Sequence, residues 1–267
     1  MGQTHHVKLP KENQLWFVAG DWHSFNIDLP TFNILIKHAK SLPEKHRNLI
    51  INGDFIDAPY MMPKNPEFQV WCNRKEGVED FFLPEFEKEV QWANETLDLL
   101  QTVFKNIIFI NGNHDQPRLD EFTAKYCPSA YKDHFNLSVK LNLHKRNIGV
   151  LEYNDWLDFG SLSITHGQYH GPQAYKKHYD AVGARNVVFS HVHHADCKSF
   201  IVRGDTRCAW SLPAMCNLNP HYIKNREQNW SNGYGTFLMR PDGTFNFNTH
   251  VVIKGELGLP NGEIIKG

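Results

Sequence analysis

Five short apolar runs along the chain each end in a polar cluster. LWFVAG leads into Asp21-Trp22-His23, NLIIN into Gly53-Asp54, and NIIFIN into Gly112-Asn113-His114-Asp115. SLSIT leads into His166-Gly167, and NVVFS into His191-Val192-His193. A few consecutive apolar or β-branched residues closed by polar or glycine punctuation are the pattern of a buried strand. The spacing predicts strands over 15–19, 48–51, 106–110, 162–165 and 187–189. Helical patterns lie between them. Residues 29–41 read as a helix with Thr31 as N-cap after Pro30, ended by Pro43. Over 84–104, Phe86, Val90, Ala93, Leu97 and Leu100 recur at helical spacing. A weaker helical pattern covers 120–131. Another helix is expected over 172–184, with Tyr175, Tyr179 and Val182 on one side. Residues 135–153 are expected to supply strands of a second sheet. Beyond Ala195 the pattern changes to hairpins, 198–203 with 207–212 around Gly204-Asp205, and 235–239 with 244–247 around Pro241-Asp242-Gly243. Strands alternating with helices, then a strand-rich end, predict an α/β chain of two packed sheets with helices outside.

Composition adds bounds. With 267 residues, 41% of them apolar, the chain can bury a full core. It carries no Gly/Ser or Pro linker, no low-complexity tract and no solenoid repeat, so one domain over 1–267 is expected. Its start, MGQTHHVKLPKENQ, lacks the apolar core of a secretory signal, and His6 stands where a myristoylation motif has Ser or Thr. No apolar stretch approaches the roughly 20 residues that cross a bilayer. A soluble cytoplasmic protein with no membrane partner is the expectation. Cys72, Cys127, Cys197, Cys208 and Cys216 are scattered and lack CxxC spacing, which argues against a disulfide framework or a zinc knuckle. A formal net charge of −1 with no basic run argues against tight, non-specific duplex binding. Histidine is abundant at 16 copies, and the placement of these residues at strand ends is what gives them weight.

Aspartate and histidine without cysteine suit divalent ions of intermediate hardness, such as Mn²⁺, Fe²⁺, Zn²⁺ or Ni²⁺. In Asp21-x-His23 and His191-x-His193, side chains at i and i+2 point the same way while the backbone stays extended, so each pair could face one ion. Either pair alone arises readily by chance. Five such clusters at successive strand ends point to a metal centre.

In order, Asp21-x-His23, Gly53-Asp54, Gly112-Asn113-His114-Asp115, His166-Gly167 and His191-x-His193 resemble the calcineurin-like metallophosphoesterase superfamily. The resemblance spans about 21–193. Ser190 departs from it, standing where that family usually has glycine before the last His-x-His. The resemblance implies a four-layer αββα sandwich with a dinuclear site at the C-terminal ends of the strands. It implies two divalent ions, Mn²⁺ first among them, with Fe²⁺, Zn²⁺, Ni²⁺ or Co²⁺ as alternatives. Asp21, His23 and His193 would hold one ion, Asn113, His166 and His191 the other, and Asp54 would bridge them. A water shared by two such ions would be acidified to the attacking hydroxide. His114 would serve the leaving oxygen, with Asp115 accepting from its other nitrogen or simply shaping the turn before Gln116-Pro117.

Substrate choice is expected to lie in an excursion over 58–84 that follows Asp54. Its aromatics, including Tyr60, Phe68, Trp71, Phe81 and Phe82, could stack on a base or pack the loop onto the body. Arg118 could clamp a phosphate, and Tyr169 and His170 could line the cleft. Asp57 could orient a ligand histidine or cap a turn. The tail Asn229-Trp230-Ser231-Asn232-Gly233-Tyr234-Gly235 looks similar to tails of phage and bacterial exonuclease-like metallophosphoesterases, so a phage-encoded protein is one origin. The favoured expectation is a phosphodiesterase acting on a nucleotide or single-stranded nucleic acid. The alternatives are a phosphomonoesterase, with protein or small-molecule substrates, and a non-catalytic scaffold of the same fold.

Overall fold

The computed structural model describes residues 2–74, 77–220 and 228–267. The strand-forming runs lie in two six-stranded sheets. In the first, β2 (Gln14–Ala19), β3 (Asn48–Asn52), β4 (Asn106–Ile110) and β5 (Gly149–Leu151) run parallel in that order. Beyond β2 the sheet continues with β11 (Asn232–Met239) and β12 (Phe245–Val252), both added antiparallel. The second sheet has the order β1 (Thr4–His6), β6 (Trp156–Phe159), β7 (Leu162–Thr165), β8 (Asn186–Phe189), β10 (Asp205–Ser211), β9 (Asp196–Val202).

Alternation along the strands explains why both faces are apolar. Trp16, Val18 and Ile50 meet Leu157, Ile164 and Val188 in a core between the two sheets. The intervening Phe17, Ala19, Leu49 and Ile51 face outward, onto α1 (Leu29–Ser41) and α3 (Val78–Val103). On the far side, Val187, Phe189 and Ala209 pack against Ala174 and Tyr175 of α6 (Ala174–Ala181). The layers are therefore helices, sheet, sheet, helix. Each fully buried Phe or Ile in these clusters contributes roughly 1.5–3 kcal/mol from transfer alone. Among the described residues no helix is long and apolar enough to cross a membrane.

Several expectations need correction. Asp28, not Thr31, caps α1: its Oδ1 accepts from Thr31 N at 2.9 Å and from Thr31 Oγ1 at 2.6 Å, which leaves Pro30 inside the first turn. Helix α3 starts six residues before Pro84, where Gly77 N donates to Asp80 Oδ2 at 3.1 Å and closes the first turn. The helix expected over 120–131 is α4 (Pro117–Tyr126), which Pro128 separates from a 3₁₀ segment, Ser129–Phe135. The stretch 135–153 supplies no strand to the second sheet. Asn136 caps the short α5 (Leu137–Lys140), Leu137, Leu141 and Leu143 join the helix-side core, and the one strand there, β5, extends the first sheet. Strand β1, from the polar N-terminal stretch, pairs parallel with β6 and had no apolar pattern to announce it.

The excursion over 58–84 is mostly helical. It holds a 3₁₀ turn (Pro59–Met61), α2 (Pro66–Arg74) and the first turns of α3. Its aromatics pack on one another and on α4. Trp71 and Phe82 rings lie 4.6 Å apart, Phe68 and Tyr126 5.0 Å, and Phe82 and Phe122 4.6 Å.

Candidate metal centre

The polar clusters meet where the C-terminal ends of β2, β3 and β4 in one sheet face those of β7 and β8 in the other. The site therefore lies on the seam between two sheets, not along the edge of one. The expected extended backbone is absent from the His-x-His and Asp-x-His pairs. Asp21 (φ 55°), His23 (52°), Asp54 (49°), His191 (72°) and His193 (59°) all adopt left-handed conformations. Each costs a non-glycine residue about 1–2 kcal/mol. Convergence comes from paired tight turns held by the neighbouring strand end. Asp21 N donates to Gly53 O at 3.0 Å, Trp22 N and His23 N both donate to Asp54 O, and His191 N donates to the Asp21 carboxylate at 3.0 Å. Glycine is required at two points. An added Cβ on Gly112 would overlap the Asp54 backbone and carboxylate, and one on Gly53 would overlap the His166 ring.

Two donor sets share Asp54. On one side His23 Nε2 and His193 Nε2 lie 3.3 Å apart, and Asp21 Oδ1 is 3.3 Å from His193 Nε2. On the other, His166 Nε2 is 3.1 Å from Asn113 Oδ1 and 3.4 Å from Asp54 Oδ2. His166 and His191 each offer a nitrogen within 4.8 Å of an Asp54 oxygen and of each other, and so do His23 and His114. Asp21, Asp54, His23, His166 and His193 are buried. His166 Nδ1 donates to the carbonyl of Asn52 at 2.8 Å. A neutral ring would then aim its Nε2 lone pair at two oxygen acceptors, an arrangement that a proton or a cation relieves. The donor set of carboxylates, imidazoles and one amide oxygen thus fits divalent ions of intermediate hardness. Cys216 lies beside the first set, with Sγ 3.9 Å from His193 Nδ1, and burial pushes its thiol up to about 12.

Charge follows the geometry. Burial works against an anion at Asp54, yet the histidines around it, His114 and His166 foremost, hold its carboxyl well below the usual range. Burial likewise opposes charge on His23 and His166. The Asp57 hydrogen bond raises His23 to about 9, and the Asp54 carboxylate raises His166 to about 9. His191 is less well partnered, and burial together with the nearby His166 lowers it to about 4. The buried carboxylates are thus counterbalanced by imidazoles, the environment a cation would enter.

Asp57 is the pivot of the other histidine. Its Oδ1 accepts from His114 Nδ1 at 2.9 Å and from His23 Nδ1 at 3.2 Å, and its Oδ2 accepts from Asn26 Nδ2 at 3.0 Å. One carboxylate therefore fixes the tautomers of a candidate ligand and of His114. His114 Nε2 accepts from Arg118 Nη2 at 2.7 Å, and Arg118 Nη1 donates to the Asp57 carbonyl. Of the two roles expected of Asp115, the bond to His114 is made by Asp57 instead, and Asp115 shapes the turn. Its carboxylate is turned to the backbone, accepting from Phe55 N and Ile56 N at 2.9 and 3.0 Å and from Gly112 N at 2.8 Å. Burial raises it to about 6. It clips the loop after β3 to the loop after β4.

A cavity of about 500 Å³ opens over these residues. Arg118 lines it. The excursion contributes Pro59, Met62, Lys64, Asn65 and Pro66 to its wall, but neither Tyr60 nor Trp71, which are turned into the helix-side packing. Among the described residues the Trp, Tyr or Phe side chain on the cleft is instead Trp230, whose ring lies 4.3 Å from that of His193. Only its presence in the tail motif marked it in the sequence. His170 is exposed beside His191, with ring centroids 6.3 Å apart, whereas Tyr169 packs on His178 of α6. Ser190, where glycine was expected, is buried and adopts no left-handed conformation. Its Oγ accepts from Asn52 Nδ2 at 2.8 Å, and the same amide donates to Thr165 O at 3.0 Å, tying β3 to the opposite sheet.

Glu89 is a contributor that sequence reasoning missed. It is buried on α3, accepts from Ala58 N at 3.0 Å and from Ser24 Oγ at 3.0 Å, and so grips the loops that follow Asp57 and His23. A signal existed: an acid at position 89 interrupts the apolar stripe of Phe86, Val90 and Ala93.

The calcineurin-like phosphoesterase family matches the chain over residues 17–195. Among solved structures, Vps29 from Entamoeba histolytica complexed with zinc is similar at 11% identity and a TM-score of 0.48, with 94% of this chain and 98% of that one covered. A hypothetical protein from Pyrococcus horikoshii is 12% identical at a TM-score of 0.44, with 88% and 87% covered. The phosphopantetheinyl hydrolase from Mycobacterium tuberculosis is 11% identical at a TM-score of 0.31, with 82% and 94% covered. No curated protein sequence matches the chain. The family match covers all five polar clusters and well over half of the sequence. The chain belongs to the calcineurin-like phosphoesterase family.

Proposed function

We propose that the protein is a divalent-metal-dependent phosphodiesterase acting on a nucleotide or single-stranded nucleic acid. The observation that carries the metal-dependent part is Asp54, a buried carboxylate standing between two sets of imidazoles. Asp21, His23 and His193 would hold one ion, and Asn113, His166 and His191 the other, with Asp54 common to both. Manganese is the ion we favour for the oxygen donors of Asp21, Asp54 and Asn113, while the four imidazoles also suit Fe²⁺, Zn²⁺ and Ni²⁺ and Cys216 lies within reach of His23 and His193. When bound, such ions acidify water and neutralise phosphate charge. The chain's own residues do the rest. Arg118 and Lys64 supply positive charge on the cleft wall, and a phosphate oxygen competes with His114 Nε2 for the Arg118 guanidinium. Asp57 holds the His114 ring by Nδ1, so that a freed Nε2 faces the cleft, where it can take a proton from solvent and pass it to the leaving oxygen, a release that burial of the ring favours. Met62, Pro59 and Trp230 line the same cavity and favour an organic group over water on the substrate.

The test is a direct comparison. Protein loaded with Mn²⁺ should hydrolyse bis-p-nitrophenyl phosphate at a higher kcat/KM than p-nitrophenyl phosphate. The reverse order would move the reading to a phosphomonoesterase, and no turnover with Mn²⁺, Ni²⁺, Co²⁺ or Zn²⁺ would move it to a binding scaffold.

A further inference from the structure

A second cavity, of about 620 Å³, lies next to the cleft. The two share a wall, because His191 and Trp230 line both. One of these residues is a candidate metal ligand, and the other lies against a second one, His193. A phosphorus atom held at the metal centre would therefore have a concavity on each side, one toward Met62 and Arg118, the other toward His170 and Asn229. A monoester has a single organic arm and would leave one of them empty. A diester has two.

The chemistry of the second cavity narrows the class of that arm. Its cation and its anion are spent on each other, since Lys198 Nζ is 3.1 Å from Asp196 Oδ2. The lysine also lies 5.7 Å over the Tyr175 ring. Among the described residues that line it there is no other lysine or arginine for a second phosphate. What the cavity offers instead is the flat indole of Trp230 and the amides of Gln228 and Asn229, a stacking surface beside donors and acceptors that suit a base edge. Its volume lies within the range of about 300–1,000 Å³ usual for small-molecule sites.

We infer that this second cavity is a nucleoside subsite, so that the protein takes a diester with one nucleoside on each side of the phosphorus and Trp230 between them. The inference rests on the phosphodiesterase reading above and deepens it. The shared chemistry is a dinucleoside phosphate, whether free or as one step of a single strand.

The test pairs binding with turnover. Mn²⁺-loaded protein is titrated calorimetrically with a non-hydrolysed dinucleoside phosphorothioate and with a nucleoside 5′-monophosphate. The wild type should bind the dinucleoside at least tenfold more tightly. Asn229→Trp, at an exposed position on the cavity wall, should fill the subsite and bring the ratio of dinucleoside to mononucleotide affinity down to about one. His170→Trp, a second lining position remote in sequence from Asn229, should lower the same affinity ratio, which guards against a local defect of one variant. Equal affinity for the two ligands in the wild type, or a tenfold preference that survives both variants, overturns the subsite. Hydrolysis of bis-p-nitrophenyl phosphate with no dinucleoside preference would overturn the subsite alone. Failure to hydrolyse any ester and to bind either ligand would overturn the phosphodiesterase reading and the subsite with it. A single-stranded oligonucleotide binding at least tenfold more tightly than the dinucleoside would identify the strand as the source.

Discussion

At the scale of single residues, His114 separates two chemical roles that its sequence position leaves mixed. It follows Asn113 directly, and its nitrogen lies close enough to Asp54 and His23 to share an ion with them. Yet its Nδ1 is committed to Asp57 and its Nε2 to Arg118. The hydrogen bonds favour proton chemistry over ligation. His114→Ala should therefore retain two equivalents of metal by elemental analysis while turnover falls about 10²–10⁴-fold, the usual worth of a placed acid or base. Loss of one equivalent would make it a ligand instead. The residue types of the site were legible in the sequence because each cluster closes an apolar run, and apolar runs are the strongest local signal of a strand end. Their backbone was not. Left-handed turns at Asp21, His23, His191 and His193 are imposed by hydrogen bonds to a different strand, and no local rule asks an aspartate or histidine to adopt them. Asp57 and Asp115 show the same limit. Both follow a candidate ligand by a few positions, and only the fold decides which faces the imidazoles and which faces backbone amides.

At the scale of elements, α3 does more than cover the sheet. Its Glu89 grips Ser24 (φ 43°) and Ala58 (φ 42°), two left-handed non-glycine residues in the loops after His23 and Asp57. Glu89→Ala would leave a buried N–H and a buried hydroxyl without that acceptor, at a cost of about 1–3 kcal/mol. Metal affinity should fall about tenfold, because groups that orient ligands typically count for 10–100-fold. Urea unfolding and a metal titration read the two effects separately, and unchanged affinity would confine Glu89 to packing. The excursion shows why element-level expectation failed there. Tyr60, Phe68, Trp71 and Phe82 carry the composition of a stacking surface, but α2 turns Phe68 and Trp71 onto Phe82 of α3 and Tyr126 of α4, and Tyr60 packs toward Phe82 from the preceding turn. What α2 and its preceding turn leave on the cleft is Met62, Lys64 and Pro66. The stretch 135–153 misled for a similar reason. Its leucines at alternating spacing satisfy a core through turns rather than through a strand.

At the scale of the whole molecule, the candidate ligands come from both sheets, so bound ions would fasten one sheet to the other. Metal should then act as a folding ligand. A free concentration of Mn²⁺ a hundredfold above Kd stabilises by about 2.7 kcal/mol, so the unfolding midpoint should rise on Mn²⁺ addition and return with EDTA. Asp54→Asn, altering the residue common to both sets, should abolish most of that shift. An unchanged shift in that variant would remove Asp54 from its shared role. The two-sheet architecture itself was readable from alternating strands and helices followed by hairpins. The strand order was not, because it depends on which distant partner fills an edge. The placement of β11 is the clearest case. It pairs with β2, more than two hundred residues earlier in the chain, and closes the flank of the strand that carries Asp21 and His23. During synthesis that flank stays open until residues 232–239 have left the ribosome. Whatever the ion supply, the strand that leads into Asp21 and His23 keeps an unpaired flank until residues well beyond His193, the last candidate ligand, have been made.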